Sequence, residues 1–209
     1  MPHQIKDYFV KPSDPILKNI AKPIPQEKIH LPKTKQIIKK MLSIAYGEQM
    51  DKSKPFLVGV AAPQLGISER IVLVDRLADG KGKAGDLNVY INPEITWKSE
   101  EEWEWYEGCY SADRVCGIVS RPIAIKIKAH DQNGNIIEED FEYYTARIFQ
   151  HEIDHLNGHE FVELVLTQNP NNLHWVEDKE FMNYRNNEAW RNWPKKCSRE
   201  KWEKIKGIK

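Results

Sequence analysis

Ile123-Ala124-Ile125-Lys126-Ile127-Lys128-Ala129, then the cluster Asp131-Gln132-Asn133-Gly134-Asn135, then a helical pattern over residues 145–158 decide the fold class. The first run alternates, as a strand with one buried face does. The polar cluster that follows is a strong turn signal and predicts a hairpin into residues 136–141. The helix is expected to begin near Thr145, a permitted N-cap, and to stop at Asn157-Gly158, a good C-terminal signal. Upstream, Ile71-Val72-Leu73-Val74 and Asn88-Val89-Tyr90-Ile91 also read as strands. Earlier still, Ile37, Ile38, Met41, Leu42 and Ala45 recur at helical spacing between residues 33 and 46. Strands gathered ahead of one dominant helix argue for an α+β fold: antiparallel β-sheets packed around a central helix, with an additional N-terminal helix and a C-terminal tail.

The 209 residues suit one domain with an appended tail. Lys+Arg and Asp+Glu are both 31, so no global charge points to nucleic acid or a membrane surface. Met1-Pro2-His3-Gln4-Ile5-Lys6-Asp7 lacks a basic-then-apolar leader, and no stretch is long enough to span a bilayer. The three cysteines, Cys109, Cys116 and Cys197, do not make a disulfide framework. A cytoplasmic protein with no membrane partner is therefore expected. After about Gln168 the composition changes to a tail with Trp175, Trp190, Trp193 and Trp202 and a basic end. Residues 1–168 are expected to form the catalytic domain, and 169–209 an extension packed on it or trailing from it.

The chemistry is concentrated in His151-Glu152-Ile153-Asp154-His155, an H-E-x-x-H pattern. Two histidines four apart stand one above the other on a helix, close enough to share one metal ion. Ile148, Phe149, Ile153 and Leu156 project on one arc of the wheel, and Arg147, Gln150, Asp154 and Asn157 on the opposite one. Glu152 falls within the apolar arc, where a carboxylate is costly without a task or a partner. Burial raises the pKa of such a group, and beside a metal site it is suited to pass protons.

A catalytic metal usually takes three protein ligands. The third histidine of one protease class would fall at Phe161, and His159 comes two residues too early and reads as a surface residue past the helix end. Glu177 or Glu180 could serve as in another protease class, but both lie in a polar segment of weak helical pattern. Among the thiols, Cys197 reads as a tail residue, and general physics does not separate Cys109 from Cys116.

Glu107-Gly108-Cys109-Tyr110-Ser111 resembles the E-G-C-L-S motif of peptide deformylases. Gly59-Val60-Ala61-Ala62-Pro63-Gln64 resembles the end of their G-x-G-L-A-A-x-Q motif, and the metal helix with Leu156-Asn157-Gly158 resembles their third. The three stand in the family's order, within a similarity running from about Asp14 to Val165.

The resemblance implies that Cys109, His151 and His155 bind one divalent metal ion. That ion is Fe2+ natively, with Zn2+, Ni2+ or Co2+ as substitutes. It implies Glu152 as general acid/base, with the Gln64 amide and the Tyr110 backbone N–H holding the formyl oxygen. Val58, Gly59, Gly108 and Ile148 would meet the substrate, bound as an added strand, and Glu107 with Arg121 would brace the site. The implied reaction is hydrolysis of the formyl group from N-formyl-Met nascent peptides. The basic tail has two readings: a docking surface for the ribosome, as in some family members, or a solvated charged end with Trp202 folded back on the body. Leu57, Tyr110 and Ala112-Asp113-Arg114 depart from the family pattern and bear on pocket shape, not on the catalytic set. Two other readings are a zinc protease or amidohydrolase sharing only the metal helix, and a binding protein whose chemistry has lapsed.

Overall fold

The structure, a computed structural model, describes residues 5–47, 53 and 55–208, apart from the side chain of Asn187. The readings made on residues 1–4 and on Lys209 lie outside these. The apolar patch after Pro15 is a 3-10 turn, Pro15–Lys18, capped by the Asp14 carboxylate, which accepts from the Ile16 N–H at 2.9 Å. The N-terminal helix α1 (Pro32–Tyr46) starts with proline, which lacks the N–H that a first helical position would leave unsatisfied.

Five antiparallel strands form the larger sheet: β1 (Gly59–Ala61), β2 (Ile71–Asp75), β3 (Leu87–Lys98), and then, past the next two strands in sequence, the hairpin of β6 and β7. Those intervening strands are β4 (Glu102–Gly108) and β5 (Val115–Pro122). The hairpin comprises β6 (Ala124–His130) and β7 (Ile136–Glu142), in register at Ile125↔Phe141. Its turn is held by Asp131, whose Oδ1 accepts from the N–H groups of Asn133 and Asn135 at 2.8 and 2.9 Å. The next elements are α2 (Tyr143–Leu156), α3 (Phe161–Gln168), β8 (Leu173–Trp175), α4 (Phe181–Arg185) and α5 (Arg199–Ile205). The smaller sheet has the order β4-β5-β8.

Helix α2 touches β1, β2, β3, β6 and β7 of one sheet and β5 of the other, so it is the centre of the molecule. Ile148, Phe149, Ile153 and Leu156 pack on Val72, Val74, Tyr90, Ile125 and Ile127. The opposite face of the larger sheet presents Ile71, Leu73 and Ile91 to Ile38 and Met41 of α1. Strand β2 is thus covered on both sides, which explains its unbroken apolar run. The smaller sheet packs Val115, Val119 and Leu173 against Phe161, Val162 and Val165 of α3.

One expectation needs correction, and three further features were not announced by the sequence. Helix α2 begins at Tyr143, and Thr145 is not its cap; the Thr145 hydroxyl donates to the Ala78 carbonyl at 3.3 Å. The polar arc of α2 does not face water: Arg147 and Gln150 are buried because the smaller sheet covers that side. Strand β4 carries Trp103, Glu104, Trp105, Tyr106 and Glu107 in a row, without the alternation that would announce it. The tail holds regular structure, for β8 completes the smaller sheet and Trp202 of α5 is buried on the α3 core. Among the described residues, no helix is long and apolar enough to cross a membrane.

Candidate metal centre

Helix α2 carries His151 and His155 one turn apart, with ring centroids separated by 5.0 Å. Strand β4 ends at Gly108, so Cys109 is delivered beside them at the start of a short 3-10 turn, Tyr110–Ala112. The Cys109 sulfur lies 3.5 Å from His155 Nε2, and one donor atom from each of the three residues falls within 4.8 Å of the others. Gln64 follows β1 in the turn Ala62–Leu65 and donates from Nε2 to the same sulfur at 2.8 Å. Its Oε1 accepts from the Ala61 N–H at 2.6 Å, which fixes which end of the amide faces the sulfur. The Ser111 hydroxyl is also 2.8 Å from Cys109 Sγ.

Behind this group stands Glu107, also from β4. It accepts from Arg121 Nε at 2.7 Å and a second Arg121 nitrogen at 3.0 Å. It further pairs with Arg147 at 2.6 Å and with His151 Nδ1 at 2.9 Å. Burial opposes ionisation here, but Arg121, the His151 hydrogen bond and Arg147 together hold the Glu107 carboxyl well below the usual carboxylate range. Arg121 also donates to Asp154 at 2.8 Å, tying the metal helix to β5. Arg147 is the member of this set that the helical wheel missed. Its other contacts are the backbone carbonyls of Val119, at 3.0 Å, and Trp103. A buried arginine needs a carboxylate and free carbonyls, and neither can be read from its own helix.

Glu152 is 4% exposed, and its Oε2 has no hydrogen-bond partner among the described residues. Burial above all pushes its pKa up to about 7, against the lowering effect of His151. The glycines make room for the protein's own side chains. A Cβ on Gly59 would stand 2.5 Å from Ile148 Cγ2 and 2.6 Å from Glu152 Oε1; one on Gly108 would stand 2.8 Å from the Cys116 sulfur. Ile148 and half-buried Val58 belong to the core between α2 and the larger sheet.

The alternatives for a third ligand lie apart from the pair. His159 is exposed and bonded to Glu163 at 2.8 Å. Glu177 and Glu180 both face Lys195. Cys116 is buried on β5, and burial pushes its thiol up to about 12. Cys197, read as a tail residue, is 2% exposed in the α3 core, away from the histidine pair. Tyr110 is partly exposed and lies against Phe9, ring centroids 5.0 Å apart.

These residues fit a metal ion. Donors held about 2.0–2.3 Å from one ion at the tetrahedral angle stand about 3.5 Å from each other, close to the spacing of Cys109 and His155. The Nδ1 of His151 is occupied by Glu107, which leaves Nε2 as its donor atom. Burial first, then the charges of His151, Arg121 and Lys206, keep His155 well below its ordinary range and so neutral, as a ligand must be.

The family model described as polypeptide deformylase matches residues 7–170. A peptide deformylase of Pseudothermotoga lettingae is 43% identical over 108 residues, which cover 52% of this chain and 58% of that one. Another, from Carboxydothermus hydrogenoformans, is 42% identical over 154 residues, covering 74% and 90%. A Met-Ala-Ser-bound crystal structure of a class I type b peptide deformylase from Acinetobacter baumannii superposes with a TM-score of 0.66. It is 33% identical, and the match covers 74% of this chain and 96% of that one.

Proposed function

Because the chain belongs to the polypeptide deformylase family, we propose that it hydrolyses the N-formyl group of formyl-methionyl peptides, releasing formate and a free N-terminus. The observation that carries the residue assignments is the convergence of Cys109, His151 and His155 within 4.8 Å, with buried Glu152 on the same helix. A divalent ion held by those three residues supplies Lewis acidity toward the formyl oxygen and the attacking water.

The chain's own groups do the rest. A carboxylate oxygen of Glu152 takes a proton from the water as its oxygen bonds to the formyl carbon. It returns a proton to the amine nitrogen as the C–N bond breaks. A carboxyl whose pKa lies near neutrality suits both transfers. The Gln64 Nε2 and the Tyr110 backbone N–H donate to the developing oxyanion, with Gln64 already oriented by Ala61. Glu107, clamped by Arg121 and Arg147, holds His151 by Nδ1, so that Nε2 is the atom that would bind a metal. Val58, Gly59, Gly108 and Ile148 form the wall against which the extended peptide lies.

One thiolate and two imidazoles admit Fe2+, Zn2+, Ni2+ or Co2+. We assign Fe2+ as the native ion, to be checked by metal analysis after anaerobic purification. A cytoplasmic location suits the three unpaired cysteines. Residues 1–168 are the catalytic domain and 169–209 an extension of the same folded body. Of the tail's cations, Lys206 is buried on Glu160 and Lys195 is paired with Glu180. Lys196 and Lys201 are exposed but held on His174 and over the Trp175 ring, so ribosome docking would fall first to exposed Arg199 and Lys204.

Substrate choice tests the reading. Metal-loaded protein should release formate from formyl-Met-Ala peptides, act poorly on the acetyl analogue and leave internal bonds uncut. Internal cleavage without formate would make it a protease, and inactivity on both with metal bound would make it a lapsed relative.

A further inference from the structure

His155 and Glu160 each keep one buried atom unpaired. His155 Nδ1 and Glu160 Oε1 have no hydrogen-bond partner among the described residues, although the two residues are 1% and 4% exposed. Buried polar atoms in that state are rare and call for a reason. Both lie at the C-terminal end of α2. The chain folds back there, with the His159 N–H on the Asp154 carbonyl at 2.9 Å, and Phe161 stacks on the His151 ring with centroids 5.7 Å apart. Glu160 follows five residues after His155, and the two share a neighbour: Lys206 is among the charges that bear on His155. The other Glu160 oxygen, Oε2, takes Lys206 Nζ at 2.5 Å. Lys206 is itself buried and follows α5, which is anchored by Trp202.

We propose that Glu160, fixed by Lys206 from the C-terminal extension, is the positioning residue of the second metal-binding imidazole, accepting the His155 Nδ1–H through a bridging water. The proposal rests on the metal reading above. A neutral imidazole that offers Nε2 to a metal carries its proton on Nδ1 and must donate it. Among the described residues Glu160 Oε1 lacks a donor and His155 Nδ1 lacks an acceptor, and one water between them would satisfy both. Each ligand histidine then has its own carboxylate: Glu107 directly for His151, Glu160 for His155. Lys206 also makes residues beyond α3 part of the metal centre, a role that no motif in the sequence announces.

Co2+ is the probe, because a Co2+–thiolate bond absorbs in the near ultraviolet. In the full-length protein, Cys109→Ser and His155→Ala should abolish that band. Glu160→Leu combined with Lys206→Met replaces the ion pair by apolar groups, so metal-free stability should stay near that of the parent. Chelator-driven Co2+ release should be about 10–100-fold faster, the usual scale for losing an outer-sphere partner. Parent-like release from the folded double variant would overturn this proposal alone. A parent without the thiolate band would overturn the metal reading, and this proposal with it. The unmutated Zn2+-loaded protein gives a second check that needs no variant. Two slowly exchanging low-field imidazole N–H signals, one per ligand histidine, are expected by NMR, and a signal from His151 only would refute the positioning role.

Discussion

Glu107 shows how much of the site depends on single residues. One carboxylate braces Arg121, Arg147 and His151, and all four are buried. The sequence offered Glu107 and Arg121 through the family motifs. Arg147 stayed hidden because a wheel places it among polar residues and says nothing of the sheet that covers them. Cys109 and Cys116 could not be told apart by spacing, and geometry separates them: one sulfur faces two imidazoles, the other is sealed in β5. Cys109→Ser should therefore lose most bound metal, while Cys116→Ser keeps it; metal analysis of the two purified variants reads this directly, and the reverse pattern would refute the assignment. Gln64→Ala should keep the metal yet lower kcat by about 10²–10³-fold, the scale of one oxyanion donor. Steady-state kinetics at equal metal content would show it, and an unchanged kcat would remove Gln64 from the mechanism.

At the scale of elements, sequence pattern located α1, β2, the β6–β7 hairpin and the end of α2, because each has one clear buried face, an unbroken apolar run or a decisive turn. It missed β4, whose run of tryptophan, tyrosine and glutamate meets different partners at successive positions. It missed β8 too, since three residues are too few to show a period. Strand β8 places His174 between Tyr184 and Lys196, with its ring nitrogens 3.2 Å from the Tyr184 hydroxyl and 2.9 Å from Lys196 Nζ. Burial, then the Lys196 charge, lower its pKa to about 4. The unfolded chain thus binds an extra proton between about pH 6.5 and 4. The contribution of His174 to stability is complete above that window and is lost as the pH falls through it, by roughly 3 kcal/mol. His174→Gln should flatten this part of the acid-stability profile in urea titrations; an equal acid loss in both proteins would contradict it. Gly59→Ala puts a methyl group where Ile148 and Glu152 already stand. It should cost about 1–3 kcal/mol by overpacking and lower turnover by displacing the carboxylate. A thermal melt and an assay on the same sample test both effects.

Over the whole molecule, the tail is the part that composition described least well. Its tryptophans and lysines left open whether it packs on the body or trails from it; Trp190, Cys197, Trp202 and Lys206 are buried. Composition cannot reveal this, because Lys206 is indistinguishable from its exposed neighbours until Glu160 is known to lie opposite. Deleting residues 195–209 would remove the buried Cys197 and Trp202 from the α3 core together with the Lys206 partner of Glu160, so a melt of the truncated protein should show a large loss of stability. The ribosome idea is better tested with Arg199→Gln and Lys204→Gln together, which spare the buried contacts. Weaker co-sedimentation at low salt would support docking, and unchanged co-sedimentation would leave the tail a structural element.

The central claim is that the metal helix and Glu152 serve formyl hydrolysis, and formate release from a formyl-Met-Ala peptide tests it most directly. Wild-type protein and Glu152→Gln should be loaded anaerobically with Fe2+ to equal metal content and assayed side by side. The wild type should release one formate per peptide consumed, and the variant should be slower by about 10²–10⁴-fold, the scale of general acid/base catalysis. Equal rates in the two proteins, or no formate from metal-loaded wild type, would contradict the account.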